Sequence, residues 1–203
     1  MDLHCQSLFR SRRWLLAMLA AAGLSLAACT EKPAAFTATD ITGASFAQDF
    51  ELTDTDGKTR TLADYAGKVV AVFFGFTQCP DVCPTTLIHY KAVKEALGPE
   101  HGKDLQVLFI TVDPERDTNE VLAQYVPAFD PSFVGLRGSA ETIKKTAREF
   151  KVFYAKVPGT TEGSYSIDHT AASYIFDKTG KIRLMVKHNA PVDATANDIS
   201  QLM

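Results

Sequence analysis

The sequence is poor in cysteine, methionine and basic residues, and each scarcity narrows what the protein can be. Its 203 residues include four cysteines, and beyond residue 28 the methionines are Met185 and Met203, so a methionine-rich metal store is not supported. Acidic residues (24) outnumber basic residues (21). This balance argues against nucleic acid as a partner, because neutralising phosphates requires a basic face.

What remains is the composition of an ordinary globular protein. Hydrophobic residues make up 46% of the chain and charged residues 22%, which argues against disorder. The length suits one domain preceded by a targeting segment. A domain of about 175 residues can bury a core without help from disulfides.

The first 28 residues are predicted to form a secretory signal peptide. Arg10, Arg12 and Arg13 precede an uncharged stretch, residues 14–26, and small residues follow it. A membrane span needs about 20 apolar residues, more than this stretch contains. Removal of residues 1–28 leaves 18 basic and 23 acidic residues, a net charge of −5. The paired arginines also resemble a twin-arginine signal, so both export routes stay open.

Cys29 ends the segment Leu-Ala-Ala-Cys, which resembles a bacterial lipobox. In such signals the cysteine receives lipid and becomes the new N-terminus. We therefore expect lipidation at Cys29, a flexible tether over residues 29–45 and a folded domain over residues 46–203. The expected location is the bacterial cell envelope, with the domain lipid-anchored to a membrane on its periplasmic or extracytoplasmic side. A plain signal peptide cleaved near Ala28 is the alternative.

Alternating strand and helix patterns predict an α/β fold with a mixed central sheet flanked by helices. Residues 69–76 and 105–112 are apolar runs typical of strands buried on both faces. An N-terminal β-hairpin is expected around residues 54–58, and a C-terminal hairpin plus helix closes the domain. The other expected elements are helices at 85–97, 117–125, 139–150 and 193–202, and strands at 133–136, 152–157, 171–176 and 181–186.

Cys79 and Cys83 follow the first buried strand and precede a helix. They are the thiols that remain if Cys5 is removed with the signal and Cys29 is lipidated. Binding sites gather beyond the carboxyl ends of strands in such sheets, and a helix start is expected to lower the pKa of a thiol. In a helix the i and i+4 side chains share one face. The pair is therefore a structural disulfide, a redox pair or a set of metal ligands, although so short a disulfide loop adds little stability.

Two thiolates leave a metal under-ligated, so a histidine is expected to join them. His89 is rotated away from Cys83 on the predicted helix, and His101 lies beyond its far end. If the strand at 171–176 runs antiparallel to the strand at 69–76, His169 lies at the end where the cysteines emerge. His188 lies at the same edge, one strand further out. At this point both residues stay open as ligands.

Three blocks of sequence resemble the Sco/SenC family of copper-binding proteins. They are Phe-Gly-Phe-Thr-Gln-Cys-Pro-Asp-Val-Cys-Pro at residues 74–84, Thr-Val-Asp-Pro-Glu-Arg-Asp-Thr at residues 111–118 and Asp-His-Thr at residues 168–170. The resemblance extends over about residues 45–203. It implies a thioredoxin-like fold that binds one copper ion, Cu(I) or Cu(II), through Cys79, Cys83 and His169.

The resemblance also implies a role and partners. Such proteins assist assembly of the dinuclear copper A centre in cytochrome c oxidase subunit II, either by delivering copper or by reducing the cysteines of that subunit. Other copper carriers or thiol reductants are further expected partners. Many relatives have a membrane-spanning anchor, whereas this sequence predicts a lipid anchor.

Other interpretations of the same residues stay open. Cys79 and Cys83 suit a thiol–disulfide oxidoreductase that uses them directly, and a peroxidase or a copper or redox sensor uses the same thiols. Zn²⁺ also accepts Cys₂His ligation. Asp168 is either a carboxylate that tunes the site or a turn residue. Asp81 is not expected to be a ligand, and residues 113–117 are expected to form a turn, with Asp117 capping the following helix.

Overall fold

The computed structural model describes residues 35–203, so the predicted signal peptide and Cys29 lie outside the described residues. The strands are β1 (Thr39–Asp40), β2 (Leu52–Asp54), β3 (Thr59–Arg60), β4 (Val69–Gly75), β5 (Leu105–Thr111), β6 (Val134–Arg137), β7 (Tyr154–Pro158), β8 (Tyr165–His169), β9 (Ala172–Phe176) and β10 (Ile182–Lys187). The α-helices are α1 (Val82–Ala96), α2 (Gly98–Gly102), α3 (Asn119–Tyr125), α4 (Ala140–Glu149) and α5 (Val192–Ser200). A 3₁₀-helix spans Leu62–Tyr65.

Eight strands form one mixed sheet in the order β1-β10-β9-β4-β5-β6-β2-β3. The central strands β4, β5 and β6 are parallel, whereas β9 runs antiparallel to β4. Every residue of β4 and β5 is buried, as expected for strands covered on both faces. The predicted mixed α/β architecture, the β2–β3 hairpin and the β9–β10 hairpin followed by α5 are confirmed. Both edge strands, β1 and β3, are two residues long.

The helix that carries the second cysteine begins earlier than predicted. The sequence pattern predicts a start at Thr85, but α1 begins at Val82 and includes Cys83 and Pro84. Proline is tolerated in the first helical turn because the N–H it lacks has no intrahelical partner there. The amide of Thr85 then donates the first turn's hydrogen bond to the Asp81 carbonyl at 3.2 Å. Cys83 therefore lies inside the helix, and Cys79 lies in the loop before it.

A second, two-stranded sheet pairs β7 with β8, and the sequence predicts only the first of its strands. In β8 a single residue, Ile167, is buried, so no run of apolar residues marks the strand. The register places Tyr154 opposite His169. His169 is thus the last residue of a strand that the sequence pattern does not predict.

The described part of the predicted tether belongs to the folded unit. β1 pairs with β10, and the compact unit begins at Phe36. Asp198 in α5 is buried, and both of its carboxylate oxygens accept a hydrogen bond from the Thr37 amide at 3.0 Å. One of these oxygens also accepts a hydrogen bond from the Ala38 amide at 2.7 Å. The expected domain start at residue 46 is therefore too late. Among residues 35–203, no helix combines the length and apolar character that crossing a membrane requires.

Candidate metal centre

Cys79, Cys83 and His169 meet at the carboxyl end of β4. One potential ligand atom from each, the two Sγ atoms and a ring nitrogen, all lie within 4.8 Å of one another. The antiparallel pairing of β9 with β4 brings the chain entering β9 to the end of β4 from which the cysteines follow. This antiparallel pairing is the condition under which the sequence placed His169 near the cysteines. Such a group can hold a metal ion.

Cys83 is fully buried, and both cysteines are free thiols. Burial raises the pKa of the Cys83 thiol, because the thiolate loses its hydration there. The lowering expected from the helix start is therefore wrong for this residue: desolvation outweighs the partial positive charge of the helix terminus. Without a cation beside it, Cys83 is a protonated thiol at neutral pH.

His169 presents a neutral imidazole to the thiols. Its Nδ1 lies 3.2 Å from the carbonyl oxygen of Thr170, which can only accept, so Nδ1 carries the proton. The lone pair is then on Nε2, 3.5 Å from the Cys83 Sγ. Burial lowers the pKa of His169, and the rings of Phe73 and Phe76 contact it edge-on at centroid distances of 5.9 Å. The ring is thus oriented for binding a metal before any metal arrives.

Arg116 joins the three segments that surround the thiols and His169. It forms an ion pair with the buried Asp113, and its guanidinium donates to the Gln78 side-chain oxygen at 3.1 Å and to the Tyr165 carbonyl at 2.9 Å. The guanidinium also stacks on the Tyr165 ring at 3.6 Å, while the Tyr165 hydroxyl donates to Asp113 at 2.9 Å. These contacts fasten the β7–β8 hairpin to the cysteine loop.

Asp117 does not cap α3 as expected. Thr118 is the capping residue, and the Asp117 carboxylate is buried. It accepts bonds from the Thr77 amide at 3.0 Å and from the Thr77 and Thr111 hydroxyls at 2.6 Å each. Burial raises the pKa of Asp117 in spite of these bonds. The residue therefore fixes the start of the cysteine loop against the end of β5.

The other residues considered from the sequence lie outside this group. Asp168 is exposed, and its negative charge only partly offsets the effect of burial on the pKa of His169. Asp81 is exposed at the start of α1, where its side chain caps nothing. His101 is exposed in α2. His188 follows β10, one strand beyond β9, and together with His89 it lines a separate cavity.

A family model described as SCO1/SenC matches residues 38–203. The chain belongs to the SCO1/SenC family. An SCO2-like protein of Rickettsia felis is 42% identical over 134 residues, which cover 66% of this chain and 65%, just under two thirds, of that protein. The family and the thioredoxin-like fold expected from the resemblance are confirmed.

Solved structures of Sco proteins share the fold. ScoI of Bradyrhizobium japonicum with copper bound is 37% identical, with a TM-score of 0.69, and the match covers 76% of this chain and 98% of that one. BsSco, described as having a disulfide switch and as a member of the Sco family of cytochrome c oxidase assembly proteins, is 26% identical with a TM-score of 0.58 over 80% of this chain and 98% of that one. The copper in ScoI agrees with the copper expected from this sequence.

In this Sco chain, no role is predicted from the sequence for Gly75, which lies beside the Cys83 sulfur, or for Tyr165, which contacts Arg116 and Asp113. Gly75 ends β4, and a Cβ atom there would lie 2.8 Å from the Cys83 Sγ. A glycine inside a strand often marks a place where another part of the chain approaches the backbone closely, so Gly75 could have been singled out from the sequence. Tyr165 had no such signal, because its partner Asp113 lies 52 positions away.

Proposed function

We propose that this chain is a copper carrier that binds one copper ion through Cys79, Cys83 and His169. The observation that carries the proposal is the convergence of two thiols and an oriented, neutral imidazole within 4.8 Å. Sulfur ligands suit Cu(I), and imidazole suits copper in either oxidation state. The copper held by ScoI, a relative of the same fold, supports the choice of metal.

The residues around the site determine which ligand atoms carry protons that copper must displace. Copper binds thiolates, so the buried Cys83 thiol gives up its proton when the ion arrives. His169 adds no proton at neutral pH, because burial keeps its ring neutral and Thr170 keeps the lone pair on Nε2. Three protein ligands leave a position for a ligand from a partner, so the ion can pass on by stepwise exchange.

The destination we propose is the dinuclear copper A centre of cytochrome c oxidase subunit II. The description of BsSco as one of a family of cytochrome c oxidase assembly proteins supports it. We further propose that the chain is exported and held at a membrane of the bacterial envelope by lipid on Cys29. The basic start, short apolar run and Leu-Ala-Ala-Cys segment of the sequence support that placement.

Thiol–disulfide exchange is the second candidate function. The partly exposed Cys79 and the buried Cys83 are both free, with sulfur atoms close together. A thiolate at Cys79 would attack a disulfide of a partner, and Cys83 would then displace the partner. The partner's disulfide is reduced to two thiols as Cys79 and Cys83 are oxidised to a disulfide. The disulfide switch of BsSco is in keeping with this chemistry.

An anaerobic Cu(I) titration against a calibrated chelator separates the two functions. We expect one equivalent bound by the reduced chain from residue 30 onward. His169→Ala is expected to weaken binding at least tenfold, about 1.4 kcal/mol, and Cys83→Ser more strongly. Asp168→Asn is the matched control, since the neighbouring exposed carboxylate is not in the ligand group.

Two outcomes would contradict the proposal that this chain carries copper. One is weak binding that does not depend on His169, and the other is native affinity in Cys83→Ser. If His169→Ala also keeps full disulfide exchange with a protein substrate, the second candidate function takes the place of the first.

A further inference from the structure

A second group of polar side chains surrounds a cavity of about 100 Å³ beside α1 and the end of β10. Thr86, His89 and Tyr90 contribute from α1, and Ser173 and His188 contribute from β9 and the residue after β10. None of the three residues of the metal centre lines this cavity. The volume is sufficient for an ion with water ligands.

The tautomer of His188 follows from its hydrogen bond. The Thr86 hydroxyl has one proton, and it donates to the Val82 carbonyl at 2.7 Å. Thr86 must therefore accept from the Nδ1–H of His188, 3.2 Å away. The lone pair of His188 is then on Nε2. A hydrogen bond from the second ring nitrogen to a neighbouring acceptor is the usual arrangement for a histidine that binds a metal.

Two further polar atoms of residues that line this cavity lack partners. The Nε2 of His89 and the hydroxyl of Tyr90 are buried, and neither has a hydrogen-bond partner within the described residues. The side chain of Ser173 is close enough to the Tyr90 hydroxyl to affect its pKa, but no well-formed hydrogen bond joins them. Unpartnered buried polar groups destabilise the folded protein, so a bound group that satisfies them is favoured.

We propose that His89 and His188 bind a second metal ion, a divalent transition-metal ion of the type that imidazole prefers, with Cu²⁺ bound most tightly. Cu²⁺ has the highest affinity for nitrogen ligands among the common divalent ions. Burial lowers the pKa of His89, which keeps its ring neutral, and both rings line the same cavity. The site is independent of the copper carrier proposed above.

Binding here is expected to be weaker than at the thiols. Two neutral nitrogens carry no charge to offset that of the ion, and the exposed Lys187 also borders the cavity. Water from the cavity completes the coordination. The neighbouring Tyr90 hydroxyl supplies a hydrogen-bonding group for such water.

The test uses the full chain with Cys79→Ser and Cys83→Ser, which removes both sulfur ligands. Cu²⁺ is titrated, and electron paramagnetic resonance records nitrogen hyperfine coupling. We expect one equivalent with two coupled nitrogens, and at least a tenfold loss of affinity when either His89→Gln or His188→Gln is added. His101→Gln, which removes an exposed histidine, and His169→Ala are the controls and are expected to leave this signal unchanged.

Three results would overturn the proposal: no Cu²⁺ bound, which would mean that the cavity holds water only; a signal that survives His89→Gln and His188→Gln; or a signal lost with His169→Ala. If the double serine variant does not fold, the wild-type chain is loaded with one equivalent of Cu(I) and titrated with Zn²⁺. Histidine ring NMR signals then decide the matter. Shifts of His89 and His188 support the site, and shifts confined to other histidines, or none, refute it.

Discussion

Replacing Gly75 with alanine tests whether the backbone of β4 fixes the position of the Cys83 sulfur. An added Cβ would lie 2.8 Å from the Cys83 Sγ, 2.8 Å from the Phe109 Cε2 and 2.9 Å from the Phe73 Cε1. Carbon contacts are favourable at about 3.5–4.0 Å, so each neighbour must retreat by roughly 0.6–0.7 Å. All three neighbours are buried. None can move into solvent.

The expected cost has two parts. Overpacking of a filled core typically costs about 1–3 kcal/mol, and with three buried neighbours we expect Gly75→Ala to lower the free energy of unfolding by about 2–3 kcal/mol. Metal–ligand distances tolerate shifts of about 0.2 Å, less than the displacement forced on the sulfur. We therefore expect the affinity for Cu(I) to fall at least tenfold, about 1.4 kcal/mol.

Urea unfolding and the anaerobic Cu(I) competition titration measure these two effects separately. Gly135→Ala is the matched control, because its Cβ would meet Leu122 and Val126 side-chain atoms at 3.2 and 3.3 Å, away from the thiols. That variant is expected to lose less than about 1 kcal/mol of stability and no affinity. Gly75→Ala with native stability would refute the packing argument. A destabilised Gly75→Ala with native affinity would show that the sulfur position is not fixed by β4.

Three further predictions concern the protons of the metal centre, the Arg116 contacts beside it and the anchoring of the segment before β1. Affinity for Cu(I) is expected to rise with pH by at least about tenfold per unit near neutrality, because the buried Cys83 thiol must lose its proton while His169 is already neutral. Titrations at several pH values check this, and a flat profile would contradict it. Arg116→Leu leaves the buried Asp113 without its cation, so we expect urea unfolding to show a free energy of unfolding lower by about 2–3 kcal/mol. Hydrogen exchange should show faster opening of β7–β8, because the bond from Arg116 to the Tyr165 carbonyl is lost. Unchanged exchange in that hairpin would contradict the contacts assigned to Arg116. Asp198→Ala removes the acceptor of the amides that precede β1, so we expect the free energy of unfolding to fall by about 2 kcal/mol and the β1 amides to exchange hydrogen rapidly. Faster hydrogen exchange confined to α5 would argue against this anchoring.

The predictable parts of the fold are those whose signal is local. β4 and β5 are apolar runs, and their burial follows from residue type alone. The position of His169 near the cysteines followed from one assumption about strand direction, which the structure confirms. The start of α1 was less predictable, because the sequence pattern places it after Pro84, whereas this proline is the third residue of the helix.

The parts that escaped prediction depend on partners far away in the chain. β1 is two residues long and exposed, and its position depends on Asp198, 160 positions beyond Ala38. The role of Arg116 depends on Tyr165, 49 positions away, in a strand with little apolar pattern. The raised pKa of Cys83 follows from burial, which the residue's place at a helix start does not reveal.

The short strands at both edges of the main sheet affect how this protein can meet others. Long unpaired edges act as templates on which another chain adds a strand, leading to aggregation or to recognition by β-augmentation. Here β1 and β3 each offer two residues, too few to template a stable added strand. Self-association through these edges is thereby suppressed. If the chain carries copper as proposed, we expect its partner to recognise side chains and loops at the carboxyl end of β4, where the ligands lie, and not a strand edge of the main sheet.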